Sequence, residues 1–317
     1  MITEIMILKK FQIFILMNTA FNPLVSIIIN CFNGEKYLSQ AIKSILDQTY
    51  NNWEIIFWDN KSTDKSSEIF KSYKDERFKY FYSNEHMPLY KARNFAIEKT
   101  KGDFISFLDV DDLWDKKKLE LQMNYFLNPE VGVVFSNLWV LKKNEKRKKI
   151  YTNKKLPRGR VFSSLVKNYN VGILTTIIRK KYFQELKEKF DERFSIIGDF
   201  DLFLRLSKIC SFESVQIPLA SFRLHGKNLS STKKEKEIEE YEIWLKENKC
   251  NLNENDINNI KKKVNYRKFV NYKIDGNYKK CFQLIKNLKI NLLIIKYLII
   301  FFTPTFILKK VFWYHLD

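Results

Sequence analysis

The stretch LVSIIINCFNGEKYLSQAIKSILDQ (residues 24–48) decides the fold, because its hydrophobic period changes once along its length. Its first part, LVSIIIN (24–30), is a short apolar run rich in β-branched residues, which is typical of a strand buried on both faces. Asn33-Gly34 interrupts that run. The second part, EKYLSQAIKSILDQ (35–48), repeats its apolar residues at helical spacing. A buried strand followed by an amphipathic helix predicts the first unit of an α/β fold.

The same alternation of apolar runs and helical patterns continues to residue 137. The further predicted strands are WEIIFW (53–58), RFKYFYS (77–83), DFISFLD (103–109) and VGVVFSN (131–137). Helices are predicted between them, from a cap at 62–64 to about Lys74, at 88–100 and at 116–127. This order predicts an α/β fold with a doubly wound, mostly parallel sheet and helices on both faces. From residue 231 the sequence is helical and highly charged, so we expect a helical C-terminal extension.

The charge of the chain indicates an anionic partner. Its 317 residues include 56 basic and 36 acidic ones, a formal net charge of +20. Nucleic acid, an acidic membrane surface and a phosphorylated ligand all fit that charge. Ten of the basic residues fall within 142–160, either in a solvated loop or in a basic lip facing an anionic acceptor. The four cysteines are scattered without a CxxC spacing, which disfavours a zinc site or a disulfide framework and fits a reducing cytosol.

The N-terminal extension, residues 1–22, is apolar but lacks a small-residue cleavage site after its apolar part, which disfavours a signal peptide. Met17 is an alternative start, because the ordered pattern begins only at Asn22-Pro23.

The C-terminal end contains an apolar stretch that does not follow the strand and helix pattern of residues 24–137. Its longest run without charge, Tyr297 to Leu308, has twelve residues and is interrupted by Pro304. A helix needs roughly 20 apolar residues to cross a bilayer, so this run is too short. The lysines and aromatic residues of about 284–314 predict a basic amphipathic segment that lies in a membrane interface. Packing against the main domain is the alternative.

Polar residues follow three of the predicted strands, at 30–33, 59–62 and 109–112. Ligands of doubly wound sheets bind at the carboxyl ends of the strands. Neither GxGxxG nor GxxxxGK[ST] occurs, which excludes the usual dinucleotide and P-loop sites. The clustered acids of SFLDVDDLWD (106–115) suit Mg²⁺ or Mn²⁺ bridging to a diphosphate, although aspartates are also common in turns.

Residues 23–230 resemble the family 2 glycosyltransferases, which have the GT-A fold. The resemblance rests on VSIIINCFNGEKYLSQAIKSILDQTYNNWEIIFWDNKSTDKS, ARNFAI, GDFISFLDVDDLW, GDFDLFLRL (198–206) and FRLHGKNLS (222–230). It implies an inverting, metal-dependent transfer of a hexosyl or N-acetylhexosaminyl group from a nucleotide-diphosphate sugar, expected to be a UDP-sugar. The implied acceptor is a hydroxyl of a glycan or a lipid-linked glycan in cell-surface polysaccharide or lipopolysaccharide synthesis.

The resemblance also implies which residues hold the nucleotide. They are Asn30, Phe32, Asn33, Asp59, Asn60, Arg93 and Asp109. Phe32 stands where the family usually has tyrosine, so base stacking is retained and a hydroxyl is lost. Asn60 stands where many members have an aspartate that holds the uracil, and its amide can donate as well as accept. Arg93 faces either the pyrophosphate or a structural ion pair.

The remaining implied residues serve the metal and the chemistry. Asp111 and His225 are expected to ligate Mn²⁺ or Mg²⁺, and Asp112 to lie close to the donor sugar or the metal. Asp199 matches the general base that takes the proton of the acceptor hydroxyl. Gly198 precedes it, where the family often has glutamate.

The resulting expectation is a GT-A domain at 23–230 and an extension at 231–317, with the protein cytoplasmic and peripheral on the inner face of an anionic membrane. A sugar-nucleotide nucleotidyltransferase is one alternative, but it needs a glycine-rich phosphate loop that residues 30–34 lack. A nucleic-acid-binding protein without catalysis is the other, but no recognition motif accompanies the charge, so we expect no nucleic-acid partner.

Overall fold

The computed structural model describes residues 21–142, 147–225, 228, 233–286 and 292–312. The chain forms two compact units. Among the described residues, the first comprises those up to Phe162 with Asn170–Glu192 and Leu202–Leu224, and the second comprises Ser163–Tyr169, Arg193–Asp201 and those from His225 onward. The domain boundaries expected after residues 22 and 230 stay a prediction. The alternative start at Met17 lies outside the described residues.

The first unit is built on one mixed sheet of nine strands. The strands are β1 (Val25–Cys31), β2 (Trp53–Asp59), β3 (Phe78–Tyr82), β4 (Phe104–Phe107), β5 (Leu113–Trp114), β6 (Val131–Lys142), β7 (Arg147–Ile150), β8 (Ile177–Arg179) and β9 (Ser211–Leu224). Their order is β3-β2-β1-β4-β8-β6-β9-β5, and β7 pairs with β6.

The half of the sheet formed by β3, β2, β1 and β4 is parallel throughout. The chain crosses between these strands through α1 (Glu35–Leu46), α2 (Ser66–Ser72) and α3 (Leu89–Glu98). The side chains of β1 and β2 are almost all buried, because helices cover both faces of a parallel sheet. The predicted α/β class is therefore confirmed, and the first strands and helices lie close to their predicted positions.

The other half of the sheet is mixed. There β8 is antiparallel to β4 and β6, whereas β6 and β9 are parallel. The sequence pattern missed β5, β7, β8 and β9. Pro218 lies within β9 beside a shift of its register with β6, and only part of β9 is buried, so its hydrophobic period is irregular. The stretch 142–160, expected to be a loop, supplies β7.

The helix predicted at 116–127 is shorter in the structure: it is α4 (Lys118–Met123), which continues as a 3₁₀ turn to Leu127. A further short helix of this half is α6 (Lys181–Glu185). Between them in the chain lies α5 (Phe162–Lys167), and after them comes α7 (Gly198–Ile209).

The helices of the second unit confirm the expected helical extension. They include α8 (Lys234–Asn248), α9 (Glu254–Ile274), α10 (Tyr278–Lys286), α11 (Leu292–Phe302) and α12 (Thr305–Phe312). The last four share a small core made of Phe269, Val270, Cys281, Tyr297, Ile300 and Leu308. None of the described helices has both the length and the apolar composition needed to cross a bilayer.

Candidate functional site

The carboxyl ends of β1, β2, β3 and β4 lie at one edge of the sheet, as predicted. The N–H of Asn60 donates to the carbonyl of Cys31 (2.7 Å), and the N–H of Ser83 donates to that of Asp59 (2.9 Å). On the other side of β1, the N–H of Leu108 donates to the carbonyl of Ile28 (3.0 Å). The loops after these four strands therefore start beside one another.

Side chains connect the loop after β1 to the loop after β2. Asn33 has a positive φ of 55°, and its Oδ1 accepts from the N–H of Thr63 (2.8 Å). In return, the N–H of Asn33 donates to Ser62 Oγ (3.1 Å), and that of Gly34 donates to Ser66 Oγ (2.9 Å). Asn33 thus shapes the loop, and its expected contact with the nucleotide stays a prediction.

Asp59 is completely buried under this loop. Its Oδ1 accepts from the N–H of Ser62 (2.8 Å) and its Oδ2 accepts from the hydroxyl of Tyr80 (2.7 Å). Burial, with a further contribution from Asp59, raises the pKa of Tyr80 to about 12. Because both carboxylate oxygens of Asp59 have protein partners, this residue supports the loop that a ligand would meet.

Phe32 and His86 form an aromatic pair at the same edge. The side chain of Phe32 is 49% exposed, and its ring centroid lies 4.1 Å from that of His86 at an interplanar angle of 43°. The sequence analysis missed His86, which follows β3. Its position in the chain could have indicated it, because the loop after a third parallel strand starts at the same edge of the sheet.

Asn60 holds the chain beside His86 through both atoms of its amide. Its Nδ2 donates to the carbonyl of Met87 (2.8 Å), and its Oδ1 accepts from the N–H of Met87 (3.1 Å). The same Nδ2 lies 3.3 Å from His86 Nδ1. Asn60 therefore fixes the backbone at Met87, on one side of the candidate site. Asn30 contributes a buried Nδ2 for which the described residues provide no hydrogen-bond partner.

Arg93 and Asp109 form an ion pair at the end of β4. Arg93 Nη2 lies 2.8 Å from Asp109 Oδ1, with Arg93 buried and Asp109 partly exposed. The guanidinium lies among the rings of Tyr90, Phe107 and Phe190, at 5.6 to 5.8 Å from their centroids. A buried cation without its partner is costly, so this pair holds Asp109 in place. Of the two possibilities for Arg93, the structure shows the ion pair.

Asp112 is buried and faces β9. Its Oδ1 accepts from the backbone N–H of Arg223 (2.9 Å), and Arg223 Nη1 donates to the carbonyl of Asp111 (2.9 Å). The guanidinium also reaches Gln40 Oε1 (2.7 Å) and stacks on Tyr37. Burial above all, and then the charges of Asp111 and Asp109, raise the pKa of Asp112 well above its usual range. Arg223 was not singled out from the sequence, although it lies in the FRLHGKNLS stretch.

The donor atoms of this loop fit a cation that is shared with a diphosphate. Among the described residues no group of three or more His, Cys, Asp and Glu side chains could hold a metal alone. Mg²⁺ commonly takes one or two protein carboxylates and completes its shell with phosphate oxygens and water. Asp111, half-buried at the end of β4, and the partly exposed Asp109 match that requirement.

The predicted base and the late histidine belong to the second unit. Asp199 is half-buried in the first turn of α7, and its Oδ1 accepts from the N–H of Phe200 (2.8 Å). Asp201, a second acid in the same turn, accepts from Trp244 Nε1 (2.9 Å). The N–H of His225 donates to Asn228 Oδ1 (2.6 Å).

The turn before Asp199 is held by a buried acid of α8. The carboxylate of Glu240 accepts from the N–H groups of Ser195 (2.7 Å), Ile196 (2.9 Å) and Ile197 (3.1 Å). Charge-assisted bonds of this kind are stronger than neutral ones. Glu240 and Trp244 therefore fix the start of α7 from one helix, which the sequence analysis did not foresee.

Comparison with known proteins identifies the family. The model of the family described as "Glycosyl transferase family 2" matches residues 26–205, more than half of the chain. This protein belongs to glycosyl transferase family 2. The resemblance noted in the sequence is thereby confirmed.

Among its relatives in this family is the Escherichia coli protein WfgD, a UDP-Glc:alpha-D-GlcNAc-diphosphoundecaprenol beta-1,3-glucosyltransferase. The two are 29% identical over 212 residues, which make up 66% of this chain and 81% of WfgD.

Solved structures of low sequence identity share the fold. Residues 1–349 of S. aureus TarS in complex with UDP-GlcNAc match 76% of this chain and 70% of their own, with a TM-score of 0.59 and 18% identity. The mannosyltransferase PcManGT from Pyrobaculum calidifontis, in complex with GDP-Man and Mn²⁺, matches 71% of this chain and 65% of its own, with a TM-score of 0.55 and 13% identity. The longer TarS chain is matched over 43% of its length. These likenesses confirm the GT-A-type fold.

Proposed function

We propose that this protein transfers a sugar from a UDP-sugar to a hydroxyl of a glycan or lipid-linked acceptor in cell-surface polysaccharide or lipopolysaccharide synthesis. Membership of family 2 supports the reaction class. WfgD, whose name includes a UDP-sugar and a lipid diphosphate, supports the donor and acceptor classes, and so does the TarS complex with UDP-GlcNAc. The observation that carries the proposal is that the exposed Phe32–His86 pair and the acids after β4 share one edge of the sheet.

The donor nucleotide binds at this edge. Phe32 stacks on the base, because its ring is exposed and the adjacent His86 restricts its movement. Asn30 donates its unsatisfied Nδ2–H to an oxygen of the nucleotide. Asp109, held by Arg93, lies toward the ribose.

Asp111 and His225 are the residues that would hold Mn²⁺ or Mg²⁺. The cation, when bound, neutralises charge that develops on the leaving diphosphate. Arg223 holds the backbone of Asp111 and so sets the direction of its side chain. The buried Asp112 lies close to the donor sugar or the metal in this proposal.

Asp199 takes the proton of the acceptor hydroxyl while that oxygen attacks the anomeric carbon. One base and one displacement invert the configuration at that carbon, and no covalent intermediate is needed. The transferred group is a hexosyl or N-acetylhexosaminyl unit. A lipid-linked acceptor places the enzyme in the cytoplasm, peripheral to the inner face of the membrane.

The deciding experiment is calorimetric titration with UDP, GDP, dTDP and CMP, each in Mn²⁺ and in EDTA. We expect tight binding of UDP that is lost in EDTA. Asp111→Asn should remove the dependence on metal, whereas Asp115→Asn should retain it, because Asp115 is exposed and its Oδ1 caps the N–H of Lys117. A folded sample that binds none of the four nucleotides would refute the donor site.

A further inference from the structure

Large apolar side chains are exposed on the three last helices of the second unit. On α11, Ile299 and Phe302 are 63% and 77% exposed, and Ile295 and Leu298 are exposed beside them at helical spacing. Phe306 on α12 is 73% exposed. Single exposed apolar residues are common on protein surfaces, but a contiguous set indicates an interaction site.

The exposed residues of α11 continue onto α10. The ring of Phe301 lies 4.9 Å from that of Phe282 and 5.8 Å from that of Tyr278, measured between centroids. Phe302 contacts Phe301 in turn, at 5.4 Å. The surface formed by Tyr278, Phe282, Ile295, Leu298, Ile299, Phe302 and Phe306 is called the aromatic face below.

The opposite sides of the same helices are packed. Tyr297, Ile300 and Leu308 are buried against Phe269 and Val270 of α9. The helices therefore have a defined inner side, and the aromatic face is the outer side of a folded layer. These helices thus pack on one another and on α9 without covering the apolar residues.

The stretch of sequence that carries the aromatic face is strongly basic. From Lys261 to Phe312 the chain carries thirteen lysines and arginines and a single acid, Asp275. The lysines of α10, Lys279, Lys280 and Lys286, are exposed. Lys296 lies with its Nζ 4.0 Å from the centroid of the Tyr266 ring, so its charge is directed to the packed side of α11.

We propose that the aromatic face inserts into the headgroup boundary of an anionic lipid bilayer, with the lysines of α10 contacting the lipid phosphates. Aromatic and aliphatic side chains bordered by lysines are the combination that interfacial helices use. A second copy of the chain is a poor occupant, because its own lysines would face those of the first. This inference rests on the proposed peripheral location and specifies the surface that produces it.

The test is co-sedimentation of the full chain with vesicles of phosphatidylcholine alone or mixed with phosphatidylglycerol. We expect binding only to the mixed vesicles, weakened by salt. The double variants Phe302→Ser/Phe306→Ser and Lys279→Glu/Lys280→Glu should each weaken it by about tenfold or more. Ile217→Ser is the matched control, because this residue is 55% exposed on β9 of the first unit.

Two outcomes would overturn the proposal. One is unchanged vesicle binding in both double variants while thermal melting shows that each is folded. The other is a dimer in light scattering that Phe302→Ser/Phe306→Ser converts to a monomer, which would assign the aromatic face to a second copy. Titration with UDP and Mn²⁺ distinguishes the membrane proposal from the transferase proposal, because both double variants should still bind UDP. Loss of UDP binding in every sample, with vesicle binding intact, would refute the transferase alone.

Discussion

The backbone N–H of Arg223 donates to the carboxylate of Asp112 over 2.9 Å, although 111 positions separate the two residues in the chain. The side chain of Arg223 then reaches back to the carbonyl of Asp111. One residue of β9 thus holds two consecutive residues of the acidic loop, through its backbone and its guanidinium. The position of the proposed metal ligand depends on that contact.

Replacing Arg223 should therefore weaken metal-dependent nucleotide binding. Arg223→Lys removes the fork that joins Asp111 and Gln40, and we expect a loss of about 1–3 kcal/mol in the free energy of unfolding together with a higher Kd for UDP in Mn²⁺. Chemical denaturation and calorimetry measure the two effects. Arg77→Lys is the control, because Arg77 pairs with Asp75 before β3, at the opposite edge of the sheet. Equal nucleotide affinity in both variants would contradict the assignment.

The aromatic pair provides the second prediction. Phe32→Ala should weaken UDP binding by about tenfold or more, since base stacking on an aromatic ring contributes about 1–3 kcal/mol. Phe32→Tyr should preserve it, and His86→Ala should weaken it less than Phe32→Ala, because His86 supports the ring from the side. Phe306→Ala, in the second unit, serves as the control for losing an exposed aromatic. An unchanged affinity in Phe32→Ala would place the base elsewhere.

Asp199 is the third test. Asp199→Asn should lower turnover by about 10²–10⁴-fold with UDP binding nearly intact, because general-base catalysis contributes on that order. Asp201→Asn is the matched control in the same turn: it weakens the bond to Trp244 and should cost stability while turnover is retained. Steady-state kinetics with calorimetry measure both variants. If Asp201→Asn were the inactive one, the base would have to be reassigned to it.

Glu240 gives a prediction about folding. Glu240→Ala leaves three backbone N–H groups of the turn before α7 without their carboxylate, so we expect a loss of about 3 kcal/mol in the free energy of unfolding. Glu240→Gln keeps an acceptor and should lose less. The neighbouring Glu239, which is exposed, provides Glu239→Gln as a control with little effect. Chemical denaturation distinguishes the three variants, and a Glu240→Ala protein as stable as Glu239→Gln would be inconsistent with this role.

A buried lysine makes the stability of the protein depend on pH. Lys118 is completely buried, with its Nζ 3.2 Å from Ser106 Oγ and 4.1 Å from the centroid of the Trp114 ring. Burial lowers the pKa of Lys118 well below the 10.5 of a free lysine. Between those two pKa values the unfolded chain binds more protons than the folded one, so this residue makes stability rise with pH.

Lys118→Met should remove that dependence. We expect the variant to exceed the parent in thermal stability at neutral pH, by an amount that shrinks as pH rises and vanishes above about 10.5. Lys117→Met, an exposed neighbour on the same side of the acidic loop, should keep the slope of the parent protein. The measurement is the melting temperature of the parent and of both variants between about pH 6 and 11. If the melting temperatures of Lys118→Met and of the parent changed with pH in parallel, Lys118 would not be the source of the pH dependence.

The edge that carries the candidate site was predictable because its strands are strongly patterned. LVSIIIN and WEIIFW are buried on both faces, so the ends of the apolar runs predicted the ends of the strands. The strand ends in turn predicted which polar residues lie at this edge. What joins those residues was not predictable. The contacts of Arg223 with the acidic loop depend on β9, which has an irregular period, and on a pairing across 111 positions that no local pattern encodes.

The C-terminal segment shows a similar limit. An apolar run with spaced lysines predicted one amphipathic segment. The structure divides the segment at Pro304 into α11 and α12 and places Lys296 over Tyr266. Helical periodicity describes a single cylinder, whereas the packing of several helices decides which side of each remains exposed.

The amide of Asn60 meets Met87 in the manner of one peptide group meeting another, donating and accepting at once. An aspartate at this position, the residue that many relatives are expected to have, could accept from the N–H of Met87 but would leave its carbonyl without a donor. An aspartate at position 60 would therefore keep one of the two bonds to Met87 and lose the other, which changes how the chain beside His86 is held. Substitutions at 60 and in 86–87 should consequently show epistasis in the free energy of unfolding and, under the proposed donor site, in the Kd for UDP.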